Sequence, residues 1–292
     1  MNPSHDMGEH LLFVGGAPRS GTTLVQTLLN RHPVIHGGPE FDLTPAVMAL
    51  RSQLLAAHDK GRIDRICNRE QIDQALGRLL RDLLLPAARR NGKRWFSEKT
   101  PANVLVFDAL LDALPAARFI HVVRDPRAVS LSMLAVAERY RMRGKPPPEM
   151  IASPGQVIQT LLRHVEAGVA AAARVPERVY TLRYEALVRS PEPVLRSLCD
   201  FIGVAWSPRI LANDAGSHLS DEQIAADGGI WLADGTIDAL PEKTRMEKWK
   251  DGLDHQQQRE LSDVFASLPV FAGLGYRFDD LTEPASERRR VV

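Results

Sequence analysis

Hydrophobic residues in this chain form short continuous runs, and each run is followed by a stretch in which apolar residues recur at helical spacing. Leu11–Val14 is wholly apolar and is followed by Gly15–Gly16, a pattern typical of a buried parallel strand that enters a tight turn. Apolar residues then recur at helical spacing over Leu24–Leu29, until His32–Pro33 ends the helix. The chain is therefore predicted to begin with a strand, a glycine-bearing turn and a helix.

The same alternation continues along the chain. Further strands are predicted at Trp95–Lys99, Ala117–Val123 and Val179–Leu182. The other predicted helices are one or two over Thr44–Arg90, one over Asn103–Ala113, one after Arg127 that runs through Met133 and Ala137, one over Val157–Ala173 and one over Pro193–Ile202. Strands that alternate with helices predict an α/β fold, with a P-loop-like parallel sheet flanked by helices on both faces.

No internal repeat and no long Gly-, Ser- or Pro-rich linker divides the 292 residues. We therefore expect a single domain over 1–292, with flexible ends at 1–10 and 284–292. Gly144–Pro148 is predicted to be a mobile loop and a candidate lid. Ala212–Leu240 has few periodic apolar residues and gives no clear prediction.

Composition and charge exclude several classes of protein. A hydrophobic fraction of 44% and a net charge of +1 are ordinary for an enzyme and give no sign of nucleic-acid binding. Cys67 and Cys199 have neither the number nor the spacing of a disulfide framework or a metal site. No apolar run reaches the roughly 18–20 residues needed to span a membrane, and the polar N-terminus lacks the order of a secretory signal. We expect a cytoplasmic protein of bacterial type, with Arg288–Arg290 in a solvated tail.

The turn after the first strand has the spacing of a phosphate-binding loop. Gly16 is followed by four residues and Gly21, and then by Thr22–Thr23 where a nucleotidase has Lys and Ser or Thr. Backbone N–H groups of such a turn, and of the helix that follows, bind anions. Without the lysine, hydrolysis of a triphosphate loses its main cation, whereas a donor with one phosphate and a terminal sulfuryl suits Arg19, backbone donors and hydroxyls without a metal. A tight turn of small residues that binds nothing is the alternative.

A second anion site is predicted at the end of the Ala117–Val123 strand. Arg124 follows this strand at once, and Ser132 lies about two turns along the next helix. A guanidinium and a hydroxyl suit a separate phosphate, and ligands of open α/β sheets bind at the carboxyl ends of the strands. A structural salt bridge is the alternative for Arg124, and Arg127 is expected to pair with Asp125 or to face solvent.

The paired motifs resemble those of the sulfotransferases that use adenosine 3′-phosphate 5′-phosphosulfate (PAPS), and most closely the tyrosylprotein sulfotransferases and their bacterial relatives. The resemblance extends from Leu12 to Asp279. Further motifs that carry it are His32–Pro33 with Gly37–Glu40, Glu98–Pro101, Arg183–Leu187, Glu247–Trp249 and Leu274–Tyr276. The chain departs from the tyrosylprotein pattern at Val136, where those enzymes have a further arginine.

The resemblance implies a role for each site residue. The predicted phosphosulfate contacts are Arg19, Ser20, Gly21, Thr22 and Thr23; the predicted 3′-phosphate contacts are Arg124 and Ser132; and Tyr184 and Lys248 are further donor contacts. Glu40 falls on the position of the general base, with Asp42 as a neighbouring alternative. Lys99 and Arg19 are the cations that stabilise the transferring group.

The implied reaction moves a sulfuryl group from PAPS to a tyrosine hydroxyl of a peptide or protein, and leaves adenosine 3′,5′-bisphosphate. A sugar, lipid or small-molecule hydroxyl is the alternative acceptor, for which His32 or His36 is a candidate base. A P-loop kinase is disfavoured because the lysine and an evident magnesium-binding aspartate are missing. A nucleotide-binding protein without activity is the remaining possibility, and a homodimer is left open.

Two polar clusters and one set of aromatic residues have weaker interpretations. The basic residues Arg139, Arg141, Arg143 and Lys145 either face acidic residues of a peptide acceptor or form a solvated helix end. Asp214, His218 and Asp221 lack a defined metal-ligand spacing and are expected to lie in a loop. Trp231, Trp249 and Tyr276 are expected to be packing residues, and Trp249 is also a candidate wall of the adenine pocket.

Overall fold

The computed structural model describes residues 6–212, 229–231 and 246–279. The predicted strands are confirmed at Leu11–Gly16 (β1), Trp95–Lys99 (β3), Arg118–Val123 (β4) and Val179–Arg183 (β5). A further strand, Ile35–Gly37 (β2), is not predicted because its three residues are too few to show a hydrophobic period. Asp214, His218, Asp221 and Arg288–Arg290 lie outside the described residues, as does the C-terminal stretch 284–292.

The five strands form one parallel sheet in the order β2–β3–β1–β4–β5. Within it, Val14 of β1 lies opposite Lys99 of β3, and Gly16 lies opposite Val122 of β4. The chain leaves β1 toward β2 and β3, and then crosses to β4 and β5 on the other side. The switch in direction between β1 and β4 is where open α/β sheets bind ligands, beyond the carboxyl ends of the strands.

The α-helices of the described residues are Thr22–Arg31 (α1), Thr44–Asp59 (α2), Arg69–Arg90 (α3), Phe107–Ala113 (α4), Pro126–Met142 (α5), Pro154–Arg174 (α6), Tyr184–Arg189 (α7), Pro191–Ile202 (α8), Lys248–Gly252 (α9), His255–Ala266 (α10) and Pro269–Gly273 (α11). Thr44–Arg90 is thus two helices. The helix predicted over Asn103–Ala113 begins as a 3₁₀-helix, Pro101–Val106, and only then becomes α-helical. The N–H of Asn103 donates to the carbonyl of Thr100, three residues earlier, at 2.9 Å, which is the 3₁₀ pattern.

The sheet is buried on both faces. Leu11 and Phe13 of β1 pack on one side in a cluster with α2, α3, α4 and α6. Leu12 and Val14 pack on the other side in a cluster with α1, α7 and α8. Because neighbouring strand residues point to opposite faces, a wholly apolar strand such as β1 needs helices on both. The predicted α/β architecture is confirmed.

Part of the N-terminal stretch packs against the body of the protein. Met7 is buried in the same cluster as Leu114, and its carbonyl oxygen accepts a hydrogen bond of 2.9 Å from the N–H of Ala116. The described end of the 1–10 stretch is therefore attached to the chain between α4 and β4. No helix in the described ranges is long and apolar enough to cross a membrane.

Candidate active site

The turn between β1 and α1 needs glycine at two positions. A Cβ on Gly16 would lie 2.4 Å from the carbonyl oxygen of Val122, so only glycine lets the turn lie against β4. Gly21 has a left-handed φ of +104°, and a Cβ there would lie 2.5 Å from the ring of Tyr184. The phosphate-loop spacing of the sequence therefore also meets the packing requirements of this turn.

The beginning of α1 has the features of an anion site. Its N-cap, Gly21, has no side chain to cap the helix, and the first turn contains no acidic residue. The first N–H groups of a helix lack partners within the helix, and they carry a partial positive charge. Ser20 is almost fully buried, and its hydroxyl has no hydrogen-bond partner among the described residues. A phosphate or sulfate group placed in this turn would accept from these donors.

Arg19 lies in the left-handed region, with φ of 72°. This conformation costs a non-glycine residue about 1–3 kcal/mol, and such strain is concentrated at functional turns. The Arg19 Nε donates to the Ser132 hydroxyl at 3.0 Å, and its Nη1 donates to the Trp231 carbonyl. The strained backbone thus directs the guanidinium toward α5.

The second predicted anion site adjoins the first. Arg124 Nη1 donates to the Arg19 carbonyl at 3.4 Å, and the Arg124 guanidinium lies 4.2 Å from the centre of the Tyr184 ring. Arg19, Ser132, Arg124 and Tyr184 therefore meet at the carboxyl ends of β1, β4 and β5. Sequence reasoning treated the two anion sites as separate, but the Arg19–Ser132 hydrogen bond joins them.

On the opposite side of the turn, Lys99 connects Glu40 to the phosphate loop. The Lys99 Nζ donates to the Glu40 carboxylate and lies 3.4 Å from the Thr23 hydroxyl oxygen. Lys99 is 1% exposed, whereas 34% of the Glu40 side chain is accessible. A buried ammonium group thus lies beside the turn, and the carboxylate paired with it can reach a molecule in solution.

Sequence reasoning missed a glutamine that supports the segment carrying Glu40. The Gln26 side chain donates to the carbonyls of Gly38 at 3.0 Å and Ser97 at 2.8 Å, and its oxygen accepts from the Ser97 hydroxyl at 2.6 Å. Gln26 is fully buried, so a polar side chain within the apolar pattern of α1 was the available signal. Glu98 is also fully buried near this segment, and its contacts are likewise not predicted from the sequence.

Lys248 and Trp249 differ from the other predicted residues. Lys248 is exposed at the beginning of α9, and within the described ranges no hydrogen bond joins it to the other site residues. Trp249 is buried, with the Arg127 guanidinium 3.9 Å from its ring centre. Arg127 is itself buried and pairs with both carboxylate oxygens of Asp125, at 3.1 and 2.8 Å. Of the two expectations for Arg127, pairing with Asp125 is confirmed and exposure to solvent is wrong.

The two candidate histidine bases, His32 and His36, contact groups outside the phosphate turn. The His32 Nε2 lies 2.9 Å from the Ala205 carbonyl oxygen, and the His36 Nε2 lies 3.4 Å from the Asn91 side-chain amide. Burial lowers the pKa of both histidines below the ordinary value of 6.5. None of the described contacts brings either ring to Lys99. Asp42, the alternative carboxylate, is exposed and has a left-handed φ of 62°.

The basic cluster at the end of α5 is partly engaged in local structure. Arg141 pairs with Glu138 at 3.2 Å and donates to the Ala152 carbonyl at 2.9 Å. These contacts favour the helix-end interpretation for Arg141, while Lys145 is exposed. Gly144–Pro148 forms no helix or strand, and its role as a lid stays a prediction.

The described residues contain no group of three or more His, Cys, Asp and Glu side chains that could hold a metal ion. The polar groups at the carboxyl ends of the strands include cations, hydroxyls and the accessible carboxylate of Glu40. Such a set can hold an anionic donor, accept a proton from an attacking hydroxyl and stabilise negative charge on a leaving oxygen.

Comparison with known proteins agrees with this chemistry. The model of the Sulfotransferase family matches residues 12–208. Protein-tyrosine sulfotransferase 2 of Gallus gallus is 26% identical over 275 residues, which cover 91% of this chain and 69% of the relative. Protein-tyrosine sulfotransferase 1 of Danio rerio is 27% identical over 275 residues, 91% of this chain and 72% of the relative.

Solved structures share the fold at lower identity. The sulfotransferase domain from the curacin biosynthetic pathway has a TM-score of 0.58 at 20% identity, covering 94% of this chain and 99% of that one. Mouse sulfotransferase SULT7A1 complexed with PAP has a TM-score of 0.51 at 14% identity, and the match covers 91% of this chain and 87% of the mouse chain. The matched residues 12–208 include the turn, Glu40, Lys99 and Arg124, but not Lys248.

Proposed function

Because the chain belongs to the sulfotransferase family and is a sulfotransferase enzyme, we propose that it transfers the sulfuryl group of PAPS to a tyrosine hydroxyl of a peptide or protein. The observation that carries this proposal is the contact of Lys99 with both Glu40 and Thr23, which brings a base and a cation to the edge of the phosphate turn. The names of the curated relatives support tyrosine as the acceptor.

The donor would lie across the two joined anion sites. Arg19, Ser20, Gly21, Thr22 and Thr23 would hold the phosphosulfate, with the uncapped beginning of α1 supplying N–H donors. The 3′-phosphate would lie at Arg124 and Ser132, and Tyr184 and Lys248 would make further contacts. The mouse sulfotransferase is complexed with PAP, which is adenosine 3′,5′-bisphosphate, the product that PAPS would leave. This complex supports a donor of the same kind here.

In the proposed reaction the acceptor oxygen attacks sulfur while the bond between sulfur and the bridging phosphate oxygen breaks. The electron pair of that bond stays on the phosphate of adenosine 3′,5′-bisphosphate, and the hydroxyl proton passes to the Glu40 carboxylate. A phenol of pKa about 10 is ionised to about one part in a thousand at pH 7, which is about 4 kcal/mol from full ionisation. A general base contributes about 100- to 10,000-fold, equivalent to about 3–5 kcal/mol, so Glu40 can supply this difference in the transition state.

The cations act on the charge that develops at the leaving oxygen. Lys99 is buried and fixed between Glu40 and Thr23, so it needs little rearrangement when the charge appears. Arg19 would neutralise the sulfuryl oxygens from the other side of the turn. No metal ion enters this proposal.

Binding and transfer are tested in two steps. Calorimetric titration is expected to show binding of adenosine 3′,5′-bisphosphate and a much weaker response to ATP with magnesium; no response to the bisphosphate would overturn the donor assignment. Transfer of labelled sulfate from PAPS is then compared among a tyrosine peptide, its phenylalanine counterpart, sugars and small phenols. Label on the tyrosine peptide alone supports the acceptor assignment, and label only on sugars or small alcohols contradicts it.

The general base is tested separately with Glu40→Gln. The amide keeps the size of the side chain but cannot accept the proton, so kcat is expected to fall about 100- to 10,000-fold. Affinity for adenosine 3′,5′-bisphosphate should change little, because the contact described for Glu40 is with Lys99 and not with the phosphate turn. A variant that turns over at the wild-type rate would exclude Glu40 as the base.

A further inference from the structure

Glu98 is a buried carboxylate at the carboxyl end of β3 that accepts four hydrogen bonds. Its Oε1 accepts from the Phe41 backbone N–H at 3.3 Å and from the Thr100 hydroxyl at 2.7 Å. Its Oε2 accepts from the Thr44 hydroxyl at 3.3 Å and from the Asn103 side-chain amide. A carboxylate has acceptor sites for all four of these donors.

These bonds hold the segment that begins directly after Glu40. Phe41 and Thr44 bind Glu98 themselves, while the N–H of Asp42 donates at 3.2 Å to the hydroxyl oxygen of Thr100, which in turn donates to Glu98. Asp42 has a left-handed φ of 62°, which the loop must maintain against the ordinary preference of the backbone. Glu98 therefore stabilises an unfavourable turn immediately beyond the proposed base.

The other side of Glu40 is held independently. The Gln26 amide donates to the Gly38 carbonyl, two residues before Glu40. Glu40 is thus placed between an attachment to α1 and an attachment to Glu98, and its partner Lys99 is the residue next to Glu98 on β3. The orientation of the base relative to the ammonium group depends on both attachments.

We propose that Glu98 is a positioning residue for sulfuryl transfer, which keeps the Glu40 carboxylate beside Lys99 by accepting hydrogen bonds from the loop after Glu40. The proposal rests on the proposed role of Glu40 as base. A buried carboxylate is costly, and an apolar side chain would fill the space without that cost. Of the groups that Glu98 binds, Phe41 lies in the loop after Glu40, Thr44 is the first residue of α2, where this loop ends, and Thr100 holds Asp42 of the same loop.

The first test is Glu98→Gln, which keeps the volume but turns an NH₂ group toward two of the four donors. Because a displacement of about 1 Å can cost about 100-fold, kcat is expected to fall about 10- to 100-fold. The dissociation constant and the stoichiometry for adenosine 3′,5′-bisphosphate should stay within about twofold, because the four hydrogen bonds described for Glu98 go to residues outside Gly16–Thr23. The stoichiometry gives the concentration of folded binding sites, and kcat is calculated on that concentration. A kcat equal to that of wild type would overturn the proposal.

A rescue distinguishes positioning from simple destabilisation. In the double variant Glu98→Gln with Asn103→Asp, the carboxylate moves to position 103 and can accept from the new amide, so the hydrogen bond between the two side chains is restored with reversed direction. We expect kcat to recover at least partly toward wild type, while Asn103→Asp alone places two carboxylates together and lowers it. No recovery in the double variant would count against the proposal.

Combination with Glu40→Gln decides whether Glu98 acts through the base. If it does, adding Glu98→Gln to Glu40→Gln lowers kcat by less than about threefold, although each single change is costly. Multiplicative losses would overturn the proposal and assign Glu98 a separate role. If kcat falls in Glu40→Gln but stays at the wild-type value in Glu98→Gln, only the Glu98 proposal is refuted. If kcat of Glu40→Gln equals that of wild type, both the proposed base and the role of Glu98 are refuted.

Discussion

His121, in β4, should make the protein lose stability in mild acid. Its ring is fully buried, and a Cβ on Gly168 of α6 would lie 2.3 Å from it, so glycine is needed for the helix to pack there. Neither ring nitrogen has a hydrogen-bond partner among the described residues. Burial, with a smaller contribution from His164, lowers the pKa of His121 from 6.5 to about 3.

The sign and size of the effect follow from proton linkage. Between pH 6.5 and pH 3 the unfolded chain binds a proton at this position and the folded protein does not, so acid favours unfolding. The free energy of unfolding should fall by up to about 1.4 kcal/mol for each pH unit below 6.5, and by about 4 kcal/mol in total at pH 3. Above about pH 7.5 the imidazole is neutral in both states and contributes no pH dependence.

The assay is urea unfolding, followed by tryptophan fluorescence, of wild type, His121→Leu and Phe119→Leu at pH 7.5, 6.5, 5.5 and 4.5. Phe119 is a buried residue on the same strand and face, so its replacement should change stability by an amount that does not vary with pH. The stability of His121→Leu relative to wild type should rise by about 2 kcal/mol between pH 6.5 and 4.5. A constant difference between His121→Leu and wild type over this range would refute the reasoning.

Three further changes have definite expected results. Gly21→Ala forces a left-handed alanine against a tyrosine ring, and calorimetry should show binding of adenosine 3′,5′-bisphosphate weakened more than tenfold. The control is Gly61→Ala, where φ is +67° and no atom lies within 4 Å of the new Cβ. This control should lose only about 1–2 kcal/mol of stability through the backbone. Lys99→Ala should lower kcat about 100- to 1,000-fold in a sulfate-transfer assay with donor affinity nearly unchanged, and a large loss of binding with normal turnover would contradict its role. Arg127→Ala leaves Asp125 without its partner and removes the stacking on α9, so urea unfolding should show a loss of about 3–5 kcal/mol, with Arg127→Lys less affected.

Much of the fold could be predicted because each central strand carries its own signal. β1 is apolar at every position that faces a helix, and its pattern predicts a parallel strand without knowledge of its neighbours. Ile35–Gly37 has no such signal, because its strand character arises from pairing with β3 at the edge of the sheet. The 3₁₀ conformation of Pro101–Val106 is equally dependent on its surroundings, since the N–H of Asn103 donates to Thr100 at the end of β3.

The site could be predicted less completely, because its contacts join distant parts of the chain. Arg19 and Arg124 could be placed together from strand ends alone, since a parallel sheet brings those ends to one edge. Their hydrogen bonds to Ser132 and to the Arg19 carbonyl depend on side-chain conformations that no local pattern encodes. Glu98 is bonded to a backbone N–H 57 positions away, so its relation to the loop after Glu40 appears only in three dimensions.

The lysine that is missing from the turn has a structural counterpart. Thr22, a neutral and buried residue, occupies the place of that lysine. The turn therefore presents no cation at this position. Lys99 approaches from the neighbouring strand instead, at the level of Val14, and reaches the Thr23 hydroxyl while paired with Glu40. A cation on the loop would remain with the phosphates, whereas in the proposed reaction Lys99, paired with an accessible carboxylate, would lie between donor and acceptor. In that reaction the Glu40 carboxylate would take the proton of the attacking hydroxyl, and Lys99 would stabilise the charge on the single leaving oxygen.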